Sequence, residues 1–349
     1  MTITRTNLSF SKLRPESFPT NTLYVGAAGF EDRALTFVQL AGAKKQMFDS
    51  CIGIQYEPHD PKNRKQTFAI ETKKVFRERV WMAYNRFEPE AFASNLAKIN
   101  EMCNHMSHVI VDISAMSKML IVLLLHGLRQ LSKPVTIVYT QAKFYSPTEQ
   151  QYRRASHPKM TPIFLTSDVF RVVTTNSLSS IAMQGAPQAL IAFPNFNYRE
   201  LAALLTELNP QHVILIETDS SEPSEQWRTE AIRKLNQGIA TYLKPEWREV
   251  NPFDLRSNLS LMEGLYDSFY ATHRVTLSPT GGKLQAVACF IMKNIHPDIH
   301  VVYPVVRRFA KEYTKGAIEP SELTLEDFRS FVEELDQYRT HHPPAIQAN

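Results

Sequence analysis

Leu23 to Leu35 reads LYVGAAGFEDRAL, and Ala189 to Leu201 reads ALIAFPNFNYREL. Laid over one another at an offset of 166, the two stretches match at Phe30/Phe196, Arg33/Arg199 and Leu35/Leu201. The same offset recurs downstream, where WMAYNRF at Trp81 and WREVNPF at Trp247 share Trp81/Trp247, Asn85/Asn251 and Phe87/Phe253. The chain holds only 3 Trp in 349 residues, so a Trp at a prescribed position has a chance near one in a hundred. A third match sets HVIVDISAMSKMLIVLLL (His108 to Leu125) against HRVTLSPTGGKLQAVACF (His273 to Phe290), placing Lys118 over Lys283. The sequence thus reads as two tandem copies of one domain, residues 18–150 and 186–318.

Within each copy an apolar run, a loop and a helix-period segment alternate. LYVGA, CIGIQY, HVIVDI and VTIVY are strand-like in the first copy; ALIAF, HVILIE, RVTLS and HVVY are their counterparts. Strands that are apolar throughout and separated by helices predict a parallel sheet covered on both faces. The expected fold class is therefore α/β, with two Rossmann-like parallel-sheet domains from an internal duplication and a C-terminal amphipathic helix. Between the copies, 151–185 is a connector whose VFRVVTT and SLSSIAM suggest an extra hairpin or crossover. At the far end, residues 319–340 carry Thr324 and Asp327 as a capping-box-like start, with Leu325, Phe328, Phe331, Val332 and Leu335 on one helical stripe. Residues 341–349 read as a frayed tail.

Composition narrows the class. At 43% apolar residues, 11 Gly and 21 Pro, the chain has enough for roughly two globular cores and excludes collagen-like or low-complexity architecture. Cys51, Cys103 and Cys289 form neither a CxxC pair nor an even framework, which predicts a reduced, cytoplasmic compartment and no cysteine zinc site. The longest apolar run, Met119 to Leu125, is too short for a membrane span, and the N-terminus has no leader-like apolar segment. A net charge of +4 does not announce a nucleic-acid binder; the one local patch, Lys62 to Arg79, is either a solvated helix face or an anionic-ligand or RNA surface. Nothing calls for a cofactor or a metal: His105 and His108 have HxxH spacing without the Glu of a zinc protease motif, and no GxSxG occurs.

In open parallel sheets ligands bind beyond the carboxyl ends of strands, where a helix N-terminus favours an anion. GAAGFEDR and ISAMSK lie at such ends in copy one, FPNFNYR and SPTGGK in copy two. In SPTGGK, Gly281 and Gly282 permit close backbone approach, Thr280 offers a hydroxyl and Lys283 a charge, which suits a phosphate. It is not a P-loop, because residues 277–284 read LSPTGGKL. Arg33 and Arg199 either clamp a phosphate or bridge to a neighbouring carboxylate; Phe30 and Phe196 either stack a base or plug the core. Trp81 and Trp247, with Asn85 and Asn251, are expected to pin a repeated turn.

The strand, Thr-Gly-Gly loop and Lys leading into an apolar helix, Leu277 to Ala286, resemble the signature of CARF domains and their fused-pair relatives, the SAVED domains. Asp112 to Lys118 is a degenerate echo, with Ser114, Met116 and Ser117 in place of Pro and Gly and an added carboxylate at Asp112. The resemblance implies a Rossmann-type sensor of cyclic oligonucleotides in prokaryotic immunity, with the ligand held by the first-strand and central-strand loops of two such folds. It further implies a separate effector protein, since the two copies fill the chain and leave the C-terminal helix as a dock. Two alternatives stay open. One is a metal-independent, ring-nuclease-like phosphodiesterase in which Asp32, Glu31 and Asp112 gather with Lys118 and Ser114 and the ligand's own 2′-hydroxyl attacks. The other is a nucleic-acid-binding scaffold subunit using Lys62 to Arg79. No residue is assigned a catalytic role on sequence alone.

Overall fold

The apolar runs of the sequence become strands in a computed structural model that describes residues 8–155, 168–219, 225–239, 243–310 and 313–341. In chain order they are β1 (Ser11–Lys12), β2 (Thr22–Ala27), β3 (Phe48–Glu57), β4 (Phe76–Asn85), β5 (His108–Asp112), β6 (Val135–Tyr139) and β7 (Phe144–Tyr145). There follow β8 (Val169–Val173), β9 (Gln188–Ala192), β10 (His212–Thr218), β11 (Glu246–Val250), β12 (Arg274–Ser278), β13 (His300–Val301) and β14 (Tyr303–Val306). The last two are β15 (Thr314–Lys315) and β16 (Ser321–Leu325). They build two units, one from Leu8–Ser146 with Lys311–Val332, the other from Pro147–Ala310 with the described residues from Glu333 on.

The first unit carries a seven-stranded sheet in the order β1-β16-β6-β5-β2-β3-β4, in which β6 through β4 are parallel and β16 and β1 are antiparallel additions. The second unit carries a five-stranded, wholly parallel sheet, β11-β10-β9-β12-β13. This is the α/β arrangement with parallel sheets and crossover helices of Rossmann-like folds. Read from the same side, the parallel cores share one order: fifth, fourth, first, second, third strand. Their registers also agree. In the first sheet Asp112, Gly26, Gly53 and Trp81 lie side by side across four strands. In the second, Ser278, Ala192, Leu215 and Trp247 do. Trp81 and Trp247 thus hold the same sheet position. Each lies in a strand, while the turn after it is pinned by the asparagine: Asn85 Oδ1 accepts from Phe87 N–H at 3.0 Å and Asn251 Oδ1 from Phe253 N–H at 2.9 Å.

Why the strands bury both faces is visible in the packing. Tyr24 stacks on Phe37 at 4.8 Å between ring centroids, with Phe48 and Phe76 in the same cluster. Leu190, Leu204, Leu205 and Leu215 are part of the corresponding core of the second unit. The helices Lys118–Gly127 and Lys283–Ile295 that follow β5 and β12 are apolar almost all round, and residues Leu284 to Ile295 are buried without exception. A helix of that kind sits inside a fold, and only its polar end meets water.

The C-terminal segment differs from the sequence expectation. Ser321–Leu325 is not the start of a helix but a strand paired antiparallel with β6, with Leu323 and Leu325 buried. Leu323 and Leu325, two apart, fit the pleat of a strand, and the open edge of β6 gives that strand its partner. The helix starts at Phe328, and Asp327 caps it by accepting from Ser330 N–H at 2.9 Å. Its stripe residues Phe328, Phe331 and Leu335 are buried within the chain. In the connector, VFRVV forms β8 and pairs with β14; residues 156–167, and the tail beyond His341, lie outside the described residues.

Candidate functional site

Each unit brings the loop after its first strand against the loop before its apolar helix, at the carboxyl end of the sheet. In the first unit these loops abut at Gly29, where a Cβ would lie 3.1 Å from that of Ala115. The acids of FEDR face inward to their own chain. Glu31 Oε1 accepts from Arg33 at 2.7 Å and from Thr314 Oγ1 at 2.9 Å; Asp32 pairs with Arg64 and accepts from Gly316 N–H at 2.7 Å. Arg33 is buried, with its second contact to the Thr140 carbonyl at 3.3 Å. Burial works against its charge, and Glu31 together with Tyr145 and Tyr139 more than offsets this, so its pKa is raised. Of the two readings of Arg33, the structure displays the bridge. Phe30 packs edge-on against Tyr313 with centroids 6.4 Å apart.

Beyond β5, Asp112 is buried and accepts from the Tyr24 hydroxyl at 2.9 Å and from Ser114 N–H at 2.9 Å. Burial holds its carboxyl above the usual range. Gly26 makes this contact available, since a Cβ there would meet the Tyr24 ring as it crosses to Asp112. Ser114 Oγ accepts from Thr140 N–H at 2.9 Å, and Ser117 Oγ caps the helix by accepting from Leu120 N–H at 3.4 Å. Lys118 is the first residue of that helix. Tyr56, which the sequence reading missed, ties this loop down: its hydroxyl accepts from Ser117 N–H at 2.7 Å and donates to the Ala115 carbonyl at 3.1 Å. The available signal was a polar-tipped aromatic closing the apolar run CIGIQY.

In the second unit Thr280 clasps the first loop. Its hydroxyl donates to the Phe193 carbonyl at 2.8 Å and accepts from Phe193 N–H at 3.1 Å, and the residue is 3% exposed. Gly281 is packed against protein, for a Cβ would come 2.7 Å from the Phe193 Cβ. Gly282, by contrast, is exposed, and its N–H donates to Gln285 Oε1 at 2.7 Å. Lys283, partly exposed, opens the buried helix as Lys118 does in the other unit. Arg199 forms a partly exposed ion pair with Asp168. Phe196 belongs to an aromatic group with Tyr152 and Trp227, both at 6.0 Å, under the Arg228 guanidinium at 5.2 Å. Phe193, Asn195, Asn197, Glu200, Asn236 and Thr280 are among the residues that line a narrow recess beside this loop.

The structure therefore groups Phe30, Arg33, Asp112, Ser114, Ser117 and Lys118 at one sheet end, and Phe196, Arg199 and Thr280 to Lys283 at the other. The basic patch is largely engaged locally: Arg77 pairs with Asp49 at 2.6 Å, Lys74 with Glu71 at 2.8 Å, and Lys65 lies 5.3 Å over the Trp81 ring. Among the described residues no cluster of three or more His, Cys, Asp or Glu could hold a metal. No helix among them is long and apolar enough to cross a membrane.

No family profile and no curated protein matches the chain. Solved structures give partial likenesses. Can2 from Sulfobacillus thermosulfidooxidans, in complex with cyclic tetra-adenylate, aligns at 19% identity and a TM-score of 0.27 over 33% of this chain and 31% of its own. Csm6 from Enterococcus italicus, bound to cyclic hexa-2′-fluoro-hexa-dAMP, aligns at 14% and 0.28 over 47% and 40%. A periplasmic sugar-binding protein of an ABC sugar transporter from Legionella pneumophila aligns at 12% and 0.22 over 79% and 76%. The chain spans less than half the length of the first two, and TM-scores this low assign neither fold nor function.

Proposed function

We propose that the protein is a regulatory subunit that binds a nucleotide-type anion, a cyclic oligonucleotide by its CARF-like motif, in a prokaryotic defence or stress system, and that its two units arose by duplication. One observation carries the reading. In two sheets of the same strand order, the apolar helix after the fourth strand opens with a lysine at the strand carboxyl ends, Lys118 and Lys283. A lysine there adds a point charge to the free N–H groups and positive dipole of the helix start. The loop before it is one residue shorter in the second unit, Pro279 to Gly282 against Ile113 to Ser117. That accounts for the offset of 165 between Lys118 and Lys283, one less than the 166 of the other matched residues.

Its chemistry favours the second unit as the stronger anion site, because Gly282 leaves the helix start exposed while Asp112, Ser114 and Tyr56 close the other loop. The phosphodiesterase alternative loses Asp112, whose carboxylate is buried against Tyr24. A separate effector protein receives the signal in this reading, by a surface other than the buried stripe of the C-terminal helix. Titration with cyclic tetra-adenylate and its larger and smaller rings tests the proposal. A charge-assisted lysine contact contributes about 1.5 to 3 kcal/mol, so Lys283→Ala weakens binding roughly 10- to 150-fold and Lys118→Ala less. Unchanged affinity in Lys283→Ala rejects this site, and a larger loss in Lys118→Ala moves it to the first unit.

A further inference from the structure

The first-strand loops of the two units are covered by different pieces of chain, and the covers are held differently. In the first unit Phe30 meets Tyr313, and the residues after Tyr313 are tied to the acids of the loop itself: Thr314 Oγ1 donates to Glu31 at 2.9 Å and Gly316 N–H to Asp32 at 2.7 Å. The same stretch carries β15, which pairs with β7, and Ser146 N–H donates to the Tyr313 carbonyl at 3.1 Å. Such a cover is part of the sheet. In the second unit Phe196, which matches Phe30, also meets a tyrosine. The Tyr152 ring lies 6.0 Å from Phe196 and 5.9 Å from Trp227, centroid to centroid.

Tyr152 belongs to the helix Glu149–Ala155, 7 residues long with none of them buried. A helix that short does not sustain itself in water, and one that buries no side chain draws little from packing. Its position depends on the tyrosine ring and on Arg228. That guanidinium lies 5.2 Å over Phe196 and 5.0 Å over Trp227, pairs with Glu225 at 2.9 Å and donates to the carbonyl of Pro147, two residues before the helix, at 3.0 Å. Both Phe196 and Trp227 stand at the carboxyl end of their sheet, after β9 and β10. Tyr152 thus takes up aromatic surface beside the first-strand loop, and Arg228 spends its charge on the strand of chain that carries the cover.

We propose that the helix Glu149–Ala155 is a releasable cover on the second unit, held shut by Tyr152, whereas the cover of the first unit is permanent. A ligand that faces Phe196 and draws the Arg228 guanidinium to its phosphate displaces the helix, so its apparent affinity is lowered by the fraction of molecules in which the cover is shut. The ligand part rests on the nucleotide-binding reading above. Arg153 and Arg154, both exposed, make the helix a trypsin site that is cut when it opens. Limited digestion of the full chain, with the nick located by mass spectrometry, reads the opening without any ligand. Tyr152→Ala is cut there roughly tenfold faster than the wild type, since two ring contacts are lost, and Tyr152→Phe, which keeps them, is cut at about the wild-type rate. Saturating cyclic tetra-adenylate speeds cleavage of the wild type, and Tyr152→Ala binds it roughly tenfold more tightly. Cleavage of Tyr152→Ala at the wild-type rate overturns the cover whatever binds. Equal affinity of the two proteins for the ring, or slower cleavage with it bound, overturns the displacement and leaves the cyclic-ligand reading standing. Faster cleavage of Tyr152→Ala with no binding of the ring by either protein does the reverse, keeping the cover and sinking that reading.

Discussion

Gly281→Ala and Gly282→Ala, neighbouring substitutions in one loop, should differ sharply in stability. At position 281 the added methyl would meet Gln285 Oε1 and would come 2.7 Å from the Cβ of Phe193. Neither neighbour yields easily. Phe193 is 1% exposed, and Gln285, 2% exposed, holds the Gly282 N–H through the oxygen that would be displaced. Overpacking a site of this kind costs about 1 to 3 kcal/mol, and losing the Gln285 bond adds roughly 1. For a unit of this size, the resulting 2 to 4 kcal/mol lowers the melting temperature by roughly 4 to 16 °C. At position 282 the nearest atom is 3.6 Å from the added methyl and φ is −74°, which any residue adopts. There the loss of a tolerated helix-capping glycine, up to about 1 kcal/mol, is offset by 0.4 to 1 kcal/mol of lost unfolded-chain entropy, giving about zero. Scanning calorimetry of both variants reads the contrast directly. A Gly281→Ala protein that melts with the wild type, or a Gly282→Ala protein that falls as far, refutes the assignment of Gly281 to packing.

The two arginines at matching sequence positions should separate as well. The Arg33–Glu31 pair is 5% and 8% exposed and the Arg199–Asp168 pair 34% and 75%, so in urea unfolding Arg33→Ala should lose about 3 to 5 kcal/mol and Arg199→Ala less than about 1. Equal losses would show that burial does not decide between them. Acidification should destabilise the fold through His108 and His300, both pushed down to about 4, the first by burial and the second by burial together with Arg274 and Lys293. Each is neutral when folded and takes up a proton when unfolded, so its contribution is complete above pH 6.5 and is lost as pH falls towards 4, by up to about 2.5 kcal/mol for each at pH 4.5, less where solvent reaches the ring. His108→Gln should flatten part of that slope in denaturant titrations, and an unchanged slope would remove His108 from the account.

Four strands of each parallel core were legible because buried parallel strands need unbroken apolar runs; the third, β4 in one sheet and β11 in the other, was not, since FRERVWMAYN and EWREV interleave charged, exposed residues and their tryptophans read as part of a turn. Nor was Ser321 to Leu325, since Leu325 also lies three residues before Phe328 on the helical stripe and the strand's partner β6 lies far away in sequence. The same distance hid the Tyr24–Asp112 contact, 88 residues apart, and with it the burial that takes Asp112 out of solvent. Thr280 and Gly281 were read as facing a ligand because the motif names residue types and not their neighbours; Phe193 and Gln285, which occupy them, come from a different strand loop and from one turn further along the helix. Asn236 carried no sequence signal, for an asparagine near a helix end is ordinary until its Nδ2 is seen donating to the carbonyls of both Asn195 and Ile232.

The antiparallel strand β16 has a consequence for biosynthesis. The sheet of the first unit is finished by residues that a ribosome adds only after the whole body of the second. Until then β6 is an outer strand, and its apolar residues and unpaired backbone groups stand open as a template for any passing strand. At common elongation rates that interval is on the order of ten seconds or more. A nascent chain of this protein thus carries an aggregation hazard at β6 from the time that strand is made until β16 follows it, 182 residues later between Tyr139 and Ser321, so chaperone demand should fall on the growing chain during that interval.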